Sequence, residues 1–599
     1  MRNFITSLLG ALTALVIFTL GGLVLVAGIA GALATIAARR ADAVRTVEPG
    51  SYLIFDLATN ITDAPSPYDF GALGSGTYRT VQLRDVTTAL RAAATDSRIA
   101  GILIKGSLVP EGYGSGYGAL REVRRALYEF RKSGKPVKAY LSFATTRDYY
   151  LASAAGEITL DPYGVILMPG LATEPVFFGG MFEKYGVGVQ VTRVGKYKSY
   201  VEQYTRQDMS PENRTQTQLL LDDIWSDLVA EIGGARGIPP SGLQAVVDAE
   251  GLIRPGPAKR AGLIDRIATS DEIIDELRAA TGPGAAKASF KQVPLYAYLN
   301  LEPRPAGTSF GPGVAVVYAE GDIVDGEGVT GQVGASAYAR ELRRLRADDS
   351  VKAVVLRVNS PGGSVTASEE IQREIRLIRR KKPVVVSMGA YAASGGYWIS
   401  ASSDRIFAEP TTITGSIGVF GIQLDVQKLL NGLGVTFDRV KTGKFADIVT
   451  ISRPKTDEEM AVFQRLVDWI YGKFVEKVSA GRRLRPGYVA EIAQGRVWSG
   501  EQALHLGLVD QIGGLGDAIG YAEKLANLNP GCRVVEFPRK KDFAQALAEL
   551  LGRLPPENVR AGGMVGELER RLEREAGMLG ALNDPQGAYA RLPFDLELK

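Results

Sequence analysis

Residues 383 to 398 read Pro383-Val384-Val385-Val386-Ser387-Met388-Gly389-Ala390-Tyr391-Ala392-Ala393-Ser394-Gly395-Gly396-Tyr397-Trp398, and Ile399-Ser400-Ala401 follow. The valine run reads as a buried strand, the small residues as a tight turn, and the aromatic-apolar run as the start of a helix. Ser394 falls at the turn. Between alanines and two glycines, its hydroxyl can stand free while the next N–H points at whatever it attacks. The same small residues also suit close helix packing, with Ser394 as a helix cap. This stretch alone leaves both readings open.

Outward from it, strand and helix alternate, which is the pattern of parallel βαβ units and of an α/β fold. Val354-Val355-Leu356 predicts a strand, Thr366 to Arg380 a helix and Pro383 to Val386 a strand. The same order occurs earlier, with Ile102-Leu103-Ile104, then Ala119 to Arg131, then Pro136 to Tyr140. At a nearly constant offset of 248 residues the halves overlay. Tyr149-Tyr150-Leu151-Ala152-Ser153 matches Tyr397-Trp398-Ile399-Ser400-Ala401, Pro162 matches Pro410, Gly170 matches Gly418, and Gly195-Lys196-Tyr197 matches Gly443-Lys444-Phe445. At a slightly smaller offset, Gly262-Leu263-Ile264-Asp265 matches Gly507-Leu508-Val509-Asp510. The chain is therefore a tandem duplication. The expected linker runs from Thr281-Gly282-Pro283-Gly284 through Pro303 to Gly307.

The copies differ where chemistry is concerned. Opposite Ser394 and Gly395 the first copy has Thr146 and Arg147, and opposite Ser360-Pro361-Gly362-Gly363 it has Ser107-Leu108-Val109-Pro110. Conversely, the first copy carries Lys198 where the second has Ala446. Each half keeps what the other lacks.

A serine nucleophile needs a base. The only histidine, His505, ends a predicted helix whose counterpart in the first copy ends in Arg260, so both are better explained by the helix dipole and solvent. Lys198 is the other candidate, because burial lowers a lysine's pKa towards neutrality. Asn359 to Ser364 joins a strand to a helix through two glycines, so Gly363 and Gly395 can supply oxyanion donors; an ordinary Pro-Gly turn is the plainer reading. Thr411 to Gly418 reads as a polar hairpin able to bring Ser416 beside serine and lysine. Gly112 to Gly118 superficially suggests a dinucleotide loop, but its spacing is imperfect and no acidic residue follows the next strand. No phosphate-binding loop and no His-Glu-x-x-His occurs.

Composition narrows the field. The 599 residues exceed one ordinary core, and 45% hydrophobic, 23% charged and 70 glycines describe a folded, loop-rich protein. A net charge of +4 without a long basic run offers no nucleic-acid surface. The single cysteine, Cys532, excludes an internal disulfide framework and multi-cysteine zinc sites. No charged residue occurs from Asn3 to Ala38, and the apolar run exceeds the ~20 residues that span a bilayer, so one transmembrane helix is expected within Leu8 to Ala34. A cleavable signal normally has a shorter apolar core. Arg39, Arg40 and Arg45 after the span, against Arg2 before it, favour a cytoplasmic body by charge count.

With Tyr197-Lys198-Ser199, Asp208-Met209-Ser210-Pro211, Asn359 to Ser364, Ala392 to Trp398, Thr414 to Gly418 and the tail Leu582-Asn583-Asp584-Pro585, the chain resembles the long, duplicated members of the protease IV, or signal peptide peptidase A, family. The resemblance implies tandem Clp/crotonase-like domains of repeated ββα units behind an N-terminal transmembrane helix. The expected division is 1–45 anchor, 46–300 first copy, 301–540 second copy and 541–599 helical tail, the last with Leu547, Leu550, Leu551 and Leu554 at helical spacing. It implies a serine protease with Ser394 as nucleophile and Lys198 as base, Ser416 orienting the lysine, Gly363 and Gly395 holding the oxyanion, and no cofactor. It further implies a homotetramer on the periplasmic side of a bacterial inner membrane, against the charge count, with the dyad shared between neighbouring protomers and a monomer inactive. The implied substrates are signal-peptide remnants and other apolar peptides. A crotonase-like acyl-CoA enzyme, or a scaffold that binds peptides without catalysis, would use the same fold.

Overall fold

The computed structural model describes residues 46–65, 79–284, 288–301, 311–538 and 582–592. The expected membrane span lies outside them, as do residues 541–581 of the expected helical tail; the described part of that tail, residues 582–592, is not helical, and Ala588–Arg591 forms a strand there. No helix among the described residues is long and apolar enough to cross a membrane.

Two parallel-rich sheets carry the two copies. The first uses β1 (Ser51–Asp56), β2 (Ile99–Lys105), β3 (Val137–Thr145) and β4 (Glu157–Leu167), with α1 (Tyr117–Arg131) crossing from β2 to β3 and α2 (Thr146–Ala152) following β3. Neighbouring strands in the series β1, β2, β3, β4 pair in parallel. Gln292–Pro294 extends the edge beside β1, so part of the expected linker belongs to the first copy. The chain then reaches β5 (Gly188–Val194), which leaves this sheet, and α3 (Pro211–Arg236).

The second sheet repeats the plan with β6 (Gly313–Glu320), β7 (Val351–Ser360), the short β8 (Gly362–Ser364), α4 (Val365–Arg379), β9 (Val384–Ala393), α5 (Gly395–Ser400) and β10 (Ile413–Gly415). Here β6, β7, β9 and β10 pair in parallel, while β8 belongs elsewhere. Nine of the ten residues of β7 are buried, as a strand covered on both faces requires. Ser364 caps α4 by accepting from the Ala367 N–H at 3.1 Å.

A third sheet crosses between the copies. Its order is Gln332–Gly334, Asp322–Val324, β8, then β12 (Ala588–Arg591), β11 (Val419–Asp425) and finally β5. β5 and β11 are antiparallel along seven opposed pairs, from Val194 facing Val419 to Gly188 facing Asp425. Because β10 and β11 join different sheets, residues 411–418 are not the hairpin expected from sequence. The backbone turns there from one sheet to another, with Ser416 at φ 49°.

The copies also meet through close backbone approach and buried charge. A Cβ on Gly116 would lie 2.5 Å from the Ala390 Cβ, and one on Gly118 3.2 Å from the Gly389 carbonyl oxygen. Gly116 and Gly118 thus serve packing between copies, and Gly114 packing against Asn60 within the first copy. Arg357 of β7, wholly buried, is paired with Asp63 at 2.7 Å and Glu122 at 2.9 Å, both from the first copy. Those two carboxylates outweigh the desolvation that burial imposes and hold the guanidinium above its ordinary pKa.

Candidate active site

β9 ends at Ala393, and Ser394 turns the chain into α5 with φ 57° and ψ −109°. Such a backbone costs about 1–3 kcal/mol and persists only where its surroundings fix it. The Ser394 N–H donates to the Gly415 carbonyl at 2.8 Å and its carbonyl accepts from Trp398 at 2.7 Å. Its hydroxyl makes no capping bond, so the helix-cap reading fails.

That hydroxyl lies 2.7 Å from Lys198 Nζ. Lys198 follows β5 by four positions and Ser416 precedes β11 by three, so the β5/β11 ladder delivers both to the end of β9. Lys198 Nζ is also 3.1 Å from the Ser416 carbonyl oxygen and 3.0 Å from Ser416 Oγ. Serine, lysine and Ser416 are all completely buried. Burial alone holds the lysine amine well below its ordinary pKa of 10.5. A neutral amine has two N–H bonds and one lone pair. The two Ser416 oxygens suit the N–H bonds, which leaves the lone pair for the Ser394 proton.

The structure brings this pair together within one chain. The expectation of a dyad shared between protomers is corrected by the β5/β11 ladder, which joins the copies of a single chain in register.

Glycines shape the walls. A Cβ on Gly495 would lie 2.7 Å from both the Cβ and the N of Lys198, and one on Gly418 3.2 Å from its Cδ. Gln216 of α3 donates to the Tyr197 carbonyl at 3.0 Å and fixes the turn that carries the lysine. Sequence reading missed Gly495 and Gln216. Neither stands in a motif, whereas Gly418 closes the Thr414 to Gly418 motif and matches Gly170 of the first copy.

Gly363 takes φ 155°, and Gly395 directly follows Ser394. Gly362, at φ 104°, would put a Cβ 2.6 Å from the Gly395 N and 2.1 Å from the Ala590 carbonyl oxygen. Gly363 faces Ala590 across the β8/β12 ladder. The backbone of β12 thus lies beside both candidate oxyanion donors. An aromatic cluster adjoins the lysine turn, with Tyr200, Tyr204 and Phe420 in its buried core and Phe178 and Phe182 packed on it.

His505 ends the helix Gly500–His505 with its side chain largely exposed, 3.4 Å from Glu501, and has no part in the site. Among the described residues no group of His, Cys, Asp or Glu side chains is arranged to hold a metal ion.

Sequence comparison agrees with the internal repeat. The chain matches peptidase family S49 twice, over residues 129–282 and 376–529, and the Clp protease family over 313–414. It is similar to Protease 4 of Salmonella typhi, 35% identical over 559 residues that cover 90% of this chain and 89% of that protein. Protease 4 of Haemophilus influenzae is 35% identical over 86% of each chain. The chloroplastic serine protease SPPA of Arabidopsis thaliana is 33% identical over 84% of this chain and 72% of its own length.

Proposed function

From the premise that the chain belongs to peptidase family S49 and is a serine protease, we propose that it hydrolyses apolar peptides, among them signal-peptide remnants, with Ser394 and Lys198 as a catalytic dyad. The observation that carries this reading is the 2.7 Å contact between a fully buried lysine amine and the hydroxyl of a serine on a strained turn.

Neutral Lys198 takes the Ser394 proton as the oxygen attacks the scissile carbonyl. The N–H groups of Gly363 and Gly395 receive the developing oxyanion. Lysine then protonates the leaving amine, and the acyl-serine is hydrolysed by a water that gives its proton to the same nitrogen. Ser416 keeps the amine aimed throughout.

In this reading residues 1–45 anchor the protein in a bacterial inner membrane, with the body on the periplasmic side, where released signal peptides are met. Four copies assemble into the working particle. Support for the anchor comes from the uncharged run Asn3 to Ala38, and for the substrate from the relative of Enterococcus faecium named as a putative signal peptide peptidase, 40% identical over 216 residues. The test is labelling with a fluorophosphonate or peptide aldehyde, followed by peptide mapping. Modification of Ser394, absent in Lys198→Ala, is expected; a labelled residue elsewhere, or full activity in Lys198→Ala, overturns the dyad.

A further inference from the structure

Asn359 stands where two strands fall out of step. β7 and β9 pair as Val358 with Met388 and then as Ser360 with Ala392, so Asn359 alone opposes Gly389, Ala390 and Tyr391. Such a bulge bends its strand and leaves backbone groups without their ladder partners. The Tyr391 N–H finds its partner in the Asn359 side chain, whose Oδ1 accepts from it at 3.2 Å. Tyr391 stands three residues before Ser394, so the bulge sets the direction in which β9 delivers the nucleophile. Gly389 permits the fit, since a Cβ there would lie 3.2 Å from the Asn359 Cβ and 2.6 Å from Asp63 Oδ2.

The other end of the Asn359 amide is fixed by acceptors. Its Nδ2 donates to the Tyr113 carbonyl at 3.0 Å and to Glu320 Oε1 at 3.3 Å, so a turned-over amide would face donor to donor at Tyr391. The Asn359 carbonyl accepts from the Gly321 N–H at 3.0 Å, and two residues further on Ile323 pairs with Gly363. One buried side chain and its backbone therefore tie the nucleophile's strand to the loop of a candidate oxyanion donor. The Tyr113 and Tyr391 partners are backbone groups, which leaves Glu320 as the partner that can change protonation.

Ionised, Glu320 accepts through both oxygens. Protonated, it keeps one full acceptor, and the Ala64 N–H at 2.7 Å claims it more closely than Asn359 does. The groups around it are already committed. Asp63 is paired with Arg357, which also meets Glu122; Asp322 is paired with Arg591; the Tyr338 hydroxyl donates to the Tyr318 carbonyl, and the Tyr318 hydroxyl to Glu536. Burial, with the Asp63 carboxylate, brings the change of state to about 7, and Glu320, at the end of β6, keeps part of its surface exposed for proton exchange.

We propose that Glu320 is a positioning residue for peptide hydrolysis: its carboxylate holds the Asn359 amide that aims Ser394 and steadies the Gly363 loop, and protonation of Glu320 slackens that hold. The role rests on the Ser394/Lys198 reading. Reciprocity gives its direction, because a bond from Asn359 that favours the carboxylate is itself strengthened when Glu320 ionises. Acidification therefore lowers turnover twice, once by charging the lysine and once by releasing Asn359.

Glu320→Gln, a neutral isostere of the protonated acid, tests this in the full chain, beside Asn359→Ala and the double variant. The ratio of wild-type to Glu320→Gln kcat on an apolar peptide is measured across pH; Lys198 titrates in both proteins and cancels. Fluorophosphonate labelling carried to completion counts the competent sites in each, so that loss of folded enzyme is not read as loss of kcat. The ratio should rise from about 1 below roughly pH 5.5 to about tenfold above roughly pH 8.5, with its midpoint near 7 and KM little changed. In the Asn359→Ala background Glu320→Gln should cost nothing further. A ratio that does not change with pH, or a tenfold loss that persists without Asn359, overturns the positioning role and leaves the dyad reading intact where the wild type labels at Ser394. A wild type that neither labels at Ser394 nor hydrolyses peptide fails the dyad reading, and this role with it.

Discussion

Val194 and Val419 face each other as one end of the ladder that joins the two copies, and each chain direction leaves that pair towards the nucleophile. Lys198 arrives from one side and Ser416 from the other, so Lys198 meets Ser394 across 196 residues of sequence within a single chain.

Mixing tests that arrangement. Inactive Ser394→Ala and Lys198→Ala proteins, combined at any ratio, should recover no peptide hydrolysis, because each chain supplies its own lysine to its own serine. Recovery after co-assembly would show a dyad shared between protomers.

Each single variant should lose about 10²–10⁴-fold or more in kcat, the ordinary worth of a positioned base, while far-ultraviolet circular dichroism stays unchanged. Lys198→Arg should fare no better than Lys198→Ala, since a guanidinium does not give up its proton at working pH. Ser416→Ala leaves the carbonyl contact at 3.1 Å in place, so roughly a tenfold loss in kcat with little change in KM is expected.

The pH profile should follow the lysine. Burial holds its pKa well below 10.5, so activity should rise with pH through that lowered value as the amine loses its proton. Stability should rise in the same direction. Between the folded pKa and 10.5 the unfolded chain binds one more proton than the folded one, so increasing pH favours the fold. Below the folded value both forms are charged and the burial cost is complete. Lys198→Met should therefore raise the denaturation midpoint most on the acid side and converge with wild type above 10.5, as measured by urea unfolding at several pH values.

Glu320, at the end of β6, carries the opposite sign. Burial, with the Asp63 carboxylate beside it, pushes its carboxyl up to about 7. It accepts from the Ala64 N–H at 2.7 Å and from Asn359 Nδ2 at 3.3 Å, and Arg357 compensates Asp63 from the other side. A raised carboxyl pKa gives stability that is complete below the unfolded value and lost as pH rises through about 7. Glu320→Gln should flatten that decline between pH 5 and 8; an unchanged slope in urea titrations would contradict it.

Gly495→Ala places a methyl 2.7 Å from Lys198 and strains a backbone at φ 76°. The expected result is a loss of activity comparable to Lys198→Ala, with about 1–3 kcal/mol of destabilisation.

What the sequence disclosed, and what it withheld, follows from the range of the interactions. The turn at Ser394 and the glycine loop at Asn359 to Ser364 are local, so their residues announce them. Lys198 became legible only by subtraction, through the copy that lost the serine. Pairing of strands far apart in sequence leaves no such trace, because alternation tells which face a residue occupies but not which strand lies next to it. Hence the meeting of β5 and β11 within one chain, the entry of β12 beside β8, and the burial of Arg357 between Asp63 and Glu122 were not readable. Gly116 and Gly118 misled in the same way, since a backbone that must approach phosphate and one that must approach Ala390 select the same residue.

The β5/β11 ladder is also a ruler. Each step along a strand is about 3.3 Å, longer than the contact between Lys198 Nζ and Ser394 Oγ, so losing or gaining one residue between Gly188 and Val194 would carry the amine out of reach and turn every side chain of the strand over. Point changes in that strand are negotiable by comparison. The length of β5 is fixed more strictly than its composition, and lineages of this protein should tolerate substitutions there far more readily than insertions.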